Sequence, residues 1–433
     1  MSQKHKKIMI MTIGCRLNQA DTALMLDRFR NAAYEILHEK SKDMPDIFIL
    51  NTCSVTASAS RKGRQAIRAV RRKNPDICII VTGCDADVRK DFWKDEGTPD
   101  IVLSNEGKKK IIEHVEAYYH GKDKDIPDNS RMEIFRENAS ALFPFRSRAF
   151  LKVQEGCNSF CSYCIVPYAR GRERSRDFGE VLEDFRNMLE KGHKEIILTG
   201  VNISAYNHDG KNLASLLETL SSMPGDFRIR LSSTEPHPEN YNIIDIMADN
   251  PKICRFLHIP LQHGTTEILK SMNRKYTPDE FARFISYARS KVKGIHLGTD
   301  VIVGFPGETQ ELFMGMCEFA KKVNFANMHI FPFSIRPGTP AAAFPGKVPE
   351  REARLRFEYL NAIASAMASD FALSQKNETL KVLIEEESSP GVFEGWSDNY
   401  LRVRIKGADL CRNDFAEVLI TDVGDDGLLL GKL

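Results

Sequence analysis

Three cysteines, Cys157, Cys161 and Cys164, form a C-x3-C-x2-C loop that constrains this chain more than any other feature. The loop follows an apolar run at residues 149–154, which we predict to be a strand, and it precedes a helical stretch. Three thiolates can ligate three irons of a cubane cluster and leave the fourth iron open for a small chelating molecule. S-adenosylmethionine fits that vacancy through its amino and carboxylate groups, and an electron from the cluster can then release a deoxyadenosyl radical.

A structural zinc site is the main alternative for this loop. No second C-x2-C pair occurs in the chain to complete a tetrahedral set with Cys161 and Cys164. The aromatic Tyr163 inside the loop and the strand pattern that follows also favour an iron–sulfur cluster, and we expect Tyr163 to lie at the cofactor.

The fold class is predicted to be α/β from the alternation of strands and helices that surrounds the loop. Between residues 143 and 374 this alternation indicates a parallel sheet curled into a six-stranded partial barrel, and a helix is expected at residues 349–375. The six candidate strands are residues 149–154, 195–200, 227–231, 255–260, 297–303 and 327–332.

A second set of cysteines lies in residues 1–130, which read as a parallel α/β domain. Apolar runs at residues 8–13, 47–50 and 77–81 are followed by Cys15, Cys53 and Cys84. Buried structural cysteine is the default for any one of them. Because the carboxyl ends of parallel strands meet at one sheet edge, we expect the three thiols to converge and to bind a second cluster.

Polar or small residues follow the barrel strands, where the loops of such folds build active sites. Each could equally be a turn or a helix cap, and Arg230 could face the interior as a cofactor ligand or point outward to pair with an acid. The candidate cofactor contacts are Gly200, Asn202, Ser232, Glu235 and Gln262.

Arginines cluster in two runs although the net charge is only +2. A solvated helix face explains either run alone, but two runs near cysteine motifs favour a polyanionic substrate. The candidate RNA-binding residues are Arg61, Arg64, Arg68, Arg71 and Arg172. Residues 375–433 add five short alternating strands, which predict a small antiparallel barrel of a kind that often binds nucleic acid.

The chain has no apolar window of about 18 residues that would span a membrane, and its first residues are polar and basic. We therefore expect a cytoplasmic protein with reduced thiols and no membrane partner. We expect it to act as a monomer. A charged stretch at residues 120–131 reads as a linker between the first two domains.

The segments KVQEGCNSFCSYCIVPYARGRERSR, TIGCRLNQADT, NTCSVT and VTGC resemble the radical methylthiotransferases over nearly the whole chain. The resemblance implies an N-terminal three-cysteine domain, a radical partial barrel and a C-terminal TRAM barrel. GCRLNQADT and NTCSVT are most similar to the branch that acts on threonylcarbamoyladenosine in tRNA. His263 after Gln262 and Asp85 after Cys84 depart from the usual family pattern.

What the resemblance implies is replacement of C–H by C–SCH3 at the adenine C2 next to the anticodon, on the anticodon stem-loop. Two 4Fe–4S clusters would serve this reaction, with Cys157, Cys161 and Cys164 holding the radical-generating one. Cys15, Cys53 and Cys84 would hold an auxiliary cluster that carries the sulfur. One S-adenosylmethionine would supply the methyl group and another the radical.

Two other functions remain open at this point. The same chemistry could act on isopentenyladenosine in tRNA or on an aspartate of a ribosomal protein. A non-catalytic, metal-stabilised RNA-binding protein would explain the arginines, but it would not need two cysteine triads. The sequence carries no signal that identifies the electron donor or the sulfur donor.

Overall fold

The computed structural model describes residues 6–39, 41–54, 57–121, 147–236, 240–407 and 410–433, with backbone alone for residues 57–60. Most of the predicted linker at residues 120–131 lies outside these ranges. Within them, no helix combines the length and the apolar character needed to cross a bilayer.

The first part of the chain forms a parallel sheet of five strands in the order β2-β1-β3-β4-β5. β3 and β4 are buried at every position, because separate apolar clusters cover the two faces of the sheet. The predicted parallel α/β arrangement is confirmed, and β2 and β5 are additions with three and two residues. The elements are β1 (Lys7–Thr12), α1 (Arg16–Asn31), β2 (Glu35–Leu37), β3 (Ile47–Thr52), α2 (Ala57–Lys73), β4 (Cys78–Gly83), α3 (Cys84–Val88), α4 (Lys90–Asp95), β5 (Ile101–Val102) and α5 (Ile111–Tyr119).

The central part forms the predicted six-stranded partial barrel. β6, β9 and β12 pair in parallel, as do β13, β14 and β15, and a bridge between Ser233 and His258 joins the two halves. The elements are β6 (Arg148–Lys152), β7 (Gln154–Glu155), α6 (Val166–Arg170), β8 (Arg174–Ser175), α7 (Phe178–Glu190), β9 (Glu195–Thr199), β10 (Asn207–His208), β11 (Lys211–Asn212), α8 (Leu213–Ser221), β12 (Arg228–Leu231), α9 (Asn240–Asp249), β13 (Phe256–His258), α10 (Thr266–Ser271), α11 (Pro278–Lys291), β14 (His296–Val303), α12 (Gln310–Val323), β15 (Asn327–Pro332) and α13 (Glu350–Leu373).

The last part closes into a barrel of five strands in the order β16-β17-β18-β20-β19, which confirms the predicted antiparallel barrel except that β18 and β20 run parallel. Alternate side chains fill its interior with a separate apolar cluster. The strands are β16 (Thr379–Ser389), β17 (Val392–Ser397), β18 (Arg402–Lys406), β19 (Phe415–Val423) and β20 (Leu429–Lys432).

Helix α1 of the first sheet lies against the open side of the central barrel. Its Ala20 packs on Phe150 of β6 and Ile197 of β9. Both side chains face the barrel interior, since their neighbours Leu151 and Leu198 pack in the outer core beneath the helices. The first sheet therefore supplies a wall of the central barrel.

The amino ends of the central strands rest on the C-terminal barrel through buried charges. Glu195 accepts from Arg228 Nε at 2.6 Å and from Arg230 Nε at 2.8 Å. The remaining guanidinium nitrogens donate to backbone carbonyls of the C-terminal barrel, those of Lys381, Trp396, Ser397 and Asp398. Arg230 therefore pairs with an acid, and it does so from the barrel interior, because it lies beside Ile197 in the sheet.

Candidate functional site

The loop that carries Cys157, Cys161 and Cys164 is held in place from both sides. Asn273 Nδ2 donates to the Phe160 carbonyl at 3.0 Å, and the Ser162 hydroxyl donates to the Ser271 carbonyl at 2.8 Å. Gly156 has a φ of +72°, and a Cβ there would lie 1.9 Å from the Arg172 carbonyl oxygen. The loop passes so close to its own return segment that only glycine fits.

The three thiols lie within electrostatic range of one another. Burial, together with the neighbouring Cys161 and Cys157, raises the pKa of Cys164 to about 12. Burial likewise raises the pKa of Cys157, with Cys161 adding to the effect. Arg274 Nη1 lies 3.3 Å from Cys161 Sγ and donates to it. Thiols whose pKa is raised by burial, such as Cys157 and Cys164, fit a cationic metal cluster, which stabilises their thiolates.

The structure also brings together Cys15, Cys53 and Cys84 at the carboxyl edge of the first sheet. Gly14 has a φ of +122°, and a Cβ there would lie 2.8 Å from Cys53 Sγ. Burial raises the pKa of Cys84, and the charge of Cys15 contributes. No disulfide joins these cysteines. This grouping of cysteines outside any disulfide fits a second cluster.

Arg170 connects the two triads, because it ends the helix α6 that begins two residues after Cys164. Its side chain is 1% exposed, and Nε lies 3.1 Å from Cys84 Sγ. Nη2 donates to Asn18 Oδ1 at 2.7 Å and to Asp21 Oδ2 at 3.0 Å, while Nη1 donates to Glu155 Oε1 at 2.9 Å. One five-residue helix, about 7.5 Å long, therefore separates the radical triad from the residue that contacts the second triad.

Asp21 anchors this junction with two lysines from different parts of the chain. Lys108 Nζ lies 2.5 Å and Lys152 Nζ 3.0 Å from its carboxylate. Burial acts to raise the pKa of Asp21, but Lys108, Lys152 and Arg170 together hold it well below the usual value. Buried charges of this kind persist only when fully paired, so the network fixes the first sheet against the barrel.

Unpartnered polar atoms mark the carboxyl ends of β9 and β12. Among the described residues, buried side-chain oxygens of Thr199, Asn202, Ser232 and Thr234 have no hydrogen-bond partner. Buried oxygens are normally satisfied, so these four fit a polar ligand seated at this end of the barrel. Asn202 and Ser232 are two of the predicted cofactor contacts, and S-adenosylmethionine provides amino, carboxylate and ribose groups for such partners.

Glu235 and Gln262, which were also predicted, lie on the same side as the loop. Glu235 pairs with Arg274, the residue that donates to Cys161. Burial raises the pKa of Glu235, and Arg274 acts against this. Gln262 has a φ of +65°, which is unusual for a residue other than glycine, and its backbone bridges to β14 at Val301. Strained backbone at a strand end is typical of functional sites.

Gly200 and Tyr163, two further predicted cofactor contacts, also make packing contacts within the protein. A Cβ at Gly200 would lie 2.8 Å from the Gln154 carbonyl oxygen, so the missing side chain makes room for Gln154. Tyr163 packs against an apolar cluster that includes Met272 and Phe305. In this structure both residues support the walls of the site.

The two departures from the family pattern have structural explanations. His263 is fully buried, and its Nε2 lies 3.1 Å from Glu308 Oε1, which Arg356 holds in turn through Oε2. Asp85 accepts from Trp93 Nε1 at 3.0 Å and pairs with Arg89. Both side chains face the interior of the protein.

The predicted RNA-binding arginines divide into two groups. Arg71 donates to Asp100 at 2.6 Å and to three backbone carbonyls, so its contacts are structural. Arg68 pairs with Glu96, and Arg64 lies over the Phe92 ring. Arg61 and Arg172 are exposed, and Arg172 lies 4.4 Å from the ring centroid of Phe160, within the cysteine loop.

Sequence reasoning missed Arg170, Arg274 and Asn18 as site residues. Arg170 was counted only as part of a basic run, and Arg274 lies 113 residues from the cysteine that it contacts. Asn18 donates to the carbonyls of Ile13 and Thr52 and accepts from Arg170. Its position three residues after Cys15 was the available signal, because a buried amide next to a ligand loop orients that loop.

Two family models match the chain. Residues 151–320 match the model described as the radical SAM superfamily. Residues 7–104 match the model described as uncharacterized protein family UPF0004. The first match covers the cysteine loop, and the second covers the three cysteines of the first sheet.

The solved structure of the radical S-adenosylmethionine methyltransferase TsrM from Kitasatospora setae, with cobalamin and a 4Fe–4S cluster bound, shares the fold. Its TM-score is 0.58 at 16% identity, and the match covers 78% of this chain and 77% of that one.

Two relatives match almost end to end. The threonylcarbamoyladenosine tRNA methylthiotransferase MtaB of Bacillus subtilis (strain 168) is 36% identical over 422 residues, which is 95% of this chain and 93% of the relative. The tRNA-2-methylthio-N(6)-dimethylallyladenosine synthase of Fusobacterium nucleatum is 33% identical over 435 residues, covering 96% and 97%. With these two relatives and both cysteine triads in place, the chain belongs to the radical S-adenosylmethionine methylthiotransferase family.

Proposed function

We propose that this protein is a tRNA methylthiotransferase that converts N6-threonylcarbamoyladenosine next to the anticodon into its 2-methylthio derivative. The observation that carries the proposal is that one cysteine triad precedes α6 while Arg170, at the other end of α6, contacts Cys84 of the second triad. A binding protein needs neither triad, whereas sulfur insertion needs a radical source and a sulfur source close together. The relative from Bacillus subtilis, named for this nucleoside, supports the choice of substrate.

Two 4Fe–4S clusters and S-adenosylmethionine are the cofactors in this proposal. Cys157, Cys161 and Cys164 would hold one cluster, and the second triad would hold the other. When bound, these groups supply the radical, the sulfur and the methyl group of the reaction. The grouping of undisulfided thiols and the unpartnered oxygens of the strand ends support this assignment.

The chain's own residues position these groups and limit access to them. Arg274 and Arg170 each donate to one cysteine sulfur, and hydrogen bonds to cluster sulfurs are a means of tuning their potentials. α1 covers the open side of the barrel, so a nucleoside inside would be screened from water that could quench a radical. Asp21 and its lysine partners hold that cover in place.

The partner in this proposal is the anticodon stem-loop of tRNA. The protein binds it in the cytoplasm and acts as a monomer. Arg61 and Arg172 are exposed and free to meet phosphates near the cysteine domains. We propose three domains, at residues 1–130, 143–374 and 375–433, and assign RNA binding to the last as well. Separate apolar clusters in the three parts of the fold support this division.

Anaerobic reconstitution tests the two-cluster arrangement. The wild-type protein should bind about eight irons, given four per cubane cluster, and form deoxyadenosine when a reductant is added. Cys53→Ala should bind about half the iron, keep cofactor cleavage and lose the methylthio product. Cys411→Ala is the matched control, because Cys411 is an exposed cysteine outside both triads. Methylthio product from Cys53→Ala would contradict the auxiliary-cluster assignment.

Nucleoside mass spectrometry tests the substrate. tRNA from a strain that lacks this protein should lose the 2-methylthio group from threonylcarbamoyladenosine, and the purified enzyme should restore it. Loss from the dimethylallyl nucleoside instead, with threonylcarbamoyladenosine unchanged, would assign the protein to the other tRNA branch.

A further inference from the structure

Arg16, on the first turn of α1 next to Cys15, extends its guanidinium into the central barrel. Its Cζ lies 5.2 Å from the ring centroid of Tyr400 and 5.5 Å from that of Phe256. Phe256 faces the interior, because its neighbour Leu257 packs in the outer core. Ala20, four residues after Arg16 and therefore on the same helix face, also packs into the barrel.

Arg16 differs from the other interior arginines because no acidic side chain of the described residues pairs with it. Arg230 pairs with Glu195, and Arg274 pairs with Glu235. Arg16 contacts aromatic rings, and no carboxylate of the described chain forms an ion pair with it. Burial acts to raise the pKa of Tyr400, but the surrounding arginines, Arg16 first, lower it overall. A half-buried cation in this setting gains most from an anionic ligand.

The facing wall of the barrel is polar. His258 Nε2 lies 3.1 Å from Asp300 Oδ2, and nitrogen or oxygen atoms of His258, Asp300 and His329 all lie within 4.8 Å of one another. Burial lowers the pKa of His329, and His258 and Arg16 lower it further against the opposing charge of Asp300. His329 is therefore a neutral hydrogen-bonding group, and Arg16 carries the positive charge of this pocket.

The pocket lies within electrostatic reach of the radical site. Asp300 acts on the pKa of Glu235, and Glu235 pairs with Arg274, which donates to Cys161. Arg16 itself follows Cys15 of the second triad. A ligand bound between Arg16 and His329 would therefore lie near residues of both triads.

We propose that Arg16 binds the carboxylate of the threonylcarbamoyl group. The hydroxyl and amide groups of the same substituent form hydrogen bonds with His258, Asp300 and His329. This inference rests on the proposed function and adds the residues that select the substrate. The named relatives act on adenosines with either an amino-acid group or a dimethylallyl hydrocarbon. A hydrocarbon group would leave Arg16 and the polar wall without hydrogen-bond partners. A site built to bind polar groups discriminates strongly against a substrate that lacks them.

Binding of two synthetic anticodon stem-loops to the reconstituted enzyme tests the inference without turnover. One stem-loop carries N6-threonylcarbamoyladenosine, and the other carries the same nucleoside with the threonine carboxylate converted to a carboxamide. The wild-type enzyme should bind the carboxamide about tenfold to a hundredfold more weakly, because a charge-assisted hydrogen bond is lost. Equal affinities would overturn the proposal whatever any variant does.

Three variants test whether Arg16 causes the preference for the stem-loop that carries the carboxylate. Arg16→Gln should bind both stem-loops equally, and Arg16→Lys should recover part of the preference. Arg30→Gln is the matched control, because Arg30 lies on the same helix and forms an exposed pair with Asp27. Iron content equal to wild type shows that Arg16→Gln folds and binds its clusters.

Preference retained in Arg16→Gln would overturn the assignment. A different result would show that the proposed function itself is wrong. In that case the wild-type enzyme cleaves its cofactor but methylthiolates neither stem-loop.

Discussion

The two ends of the central barrel use the same strands for opposite purposes. β9 begins with Glu195, whose carboxylate is fully paired with Arg228 and Arg230. It ends with Thr199, whose buried hydroxyl has no partner among the described residues. At the amino end Glu195 stabilises the fold, whereas at the carboxyl end the hydroxyl of Thr199 is available to a ligand. Changes at the two ends should therefore affect different measurements.

Loss of a cluster ligand at the carboxyl end should have the largest effect. We expect Cys157→Ala to reduce deoxyadenosine formation to background, because three thiolates are needed to leave one iron open for the cofactor. Cys411→Ala should retain full activity. The free energy of unfolding of the metal-free protein should change by less than about 1 kcal/mol in both variants, since neither breaks a buried network. Chromatography of the reaction products and urea unfolding check the two expectations.

Loss of the carboxylate at the amino end should instead destabilise the protein. Glu195→Gln leaves Arg228 and Arg230 buried without their counter-charge, so we expect unfolding to become easier by about 3–5 kcal/mol. Glu378→Gln removes an exposed pair with Lys293 and should cost less than about 1 kcal/mol. Urea unfolding of the metal-free proteins measures both. Equal costs for the two variants would remove the contrast between the barrel ends.

His296, also at the amino end, should make stability depend on pH. Burial lowers the pKa of His296 from 6.5 to about 3, so the folded protein keeps it neutral. Below pH 6.5 the unfolded chain gains a proton that the folded chain excludes, and stability falls by about 1.4 kcal/mol per pH unit. His296→Phe should abolish this contribution. Between pH 7.5 and pH 5 the variant should therefore lose about 2 kcal/mol less than wild type, and equal losses would contradict the assignment.

Two buried serines, one at each end, should show the smallest effects. Ser232 Oγ at the carboxyl end has no partner in the described structure, whereas Ser397 Oγ at the other end contacts Asn399 and Leu401. Ser397→Ala should cost about 1–2 kcal/mol of stability and leave the affinity for S-adenosylmethionine unchanged. Ser232→Ala should leave stability unchanged and weaken that affinity severalfold, by about 1 kcal/mol. Thermal unfolding and cofactor titration separate them, and a stability loss in Ser232→Ala would show that its hydroxyl serves the fold.

Features set by local pattern were predictable from the sequence. All six central strands and the five strands of the C-terminal barrel follow from alternation and turn spacing, and the helix predicted at 349–375 is α13. β2 and β5 were missed, because two or three residues are too few to show a periodicity. The cysteine loop was visible because its ligands are adjacent in sequence.

Contacts between side chains of different domains were not predictable from the sequence. Arg170 meets Cys84 across 86 residues, and Arg148 meets Glu385 across 237. No local pattern encodes which charged side chain of one domain meets which of another. Gly200 shows the same limit, since its missing side chain serves Gln154 of a neighbouring strand. The contacts of Arg16 with Phe256 and Tyr400 likewise depend on the position of α1 over the open barrel.

The position of α1 over the barrel also bears on how such a protein can evolve. A domain that only tethers an extra cofactor can be gained, lost or exchanged between genes. Here the first sheet closes the reaction chamber, and its Asp21 neutralises Lys152 of the barrel. A recombinant that kept the barrel and replaced the first sheet would have an open barrel side, and Lys152 would keep Glu155 but lose Asp21 as an ionic partner. We therefore expect the two segments to evolve together, and on the proposed role of Arg16 a single substitution on α1 would change specificity without exchange of a domain.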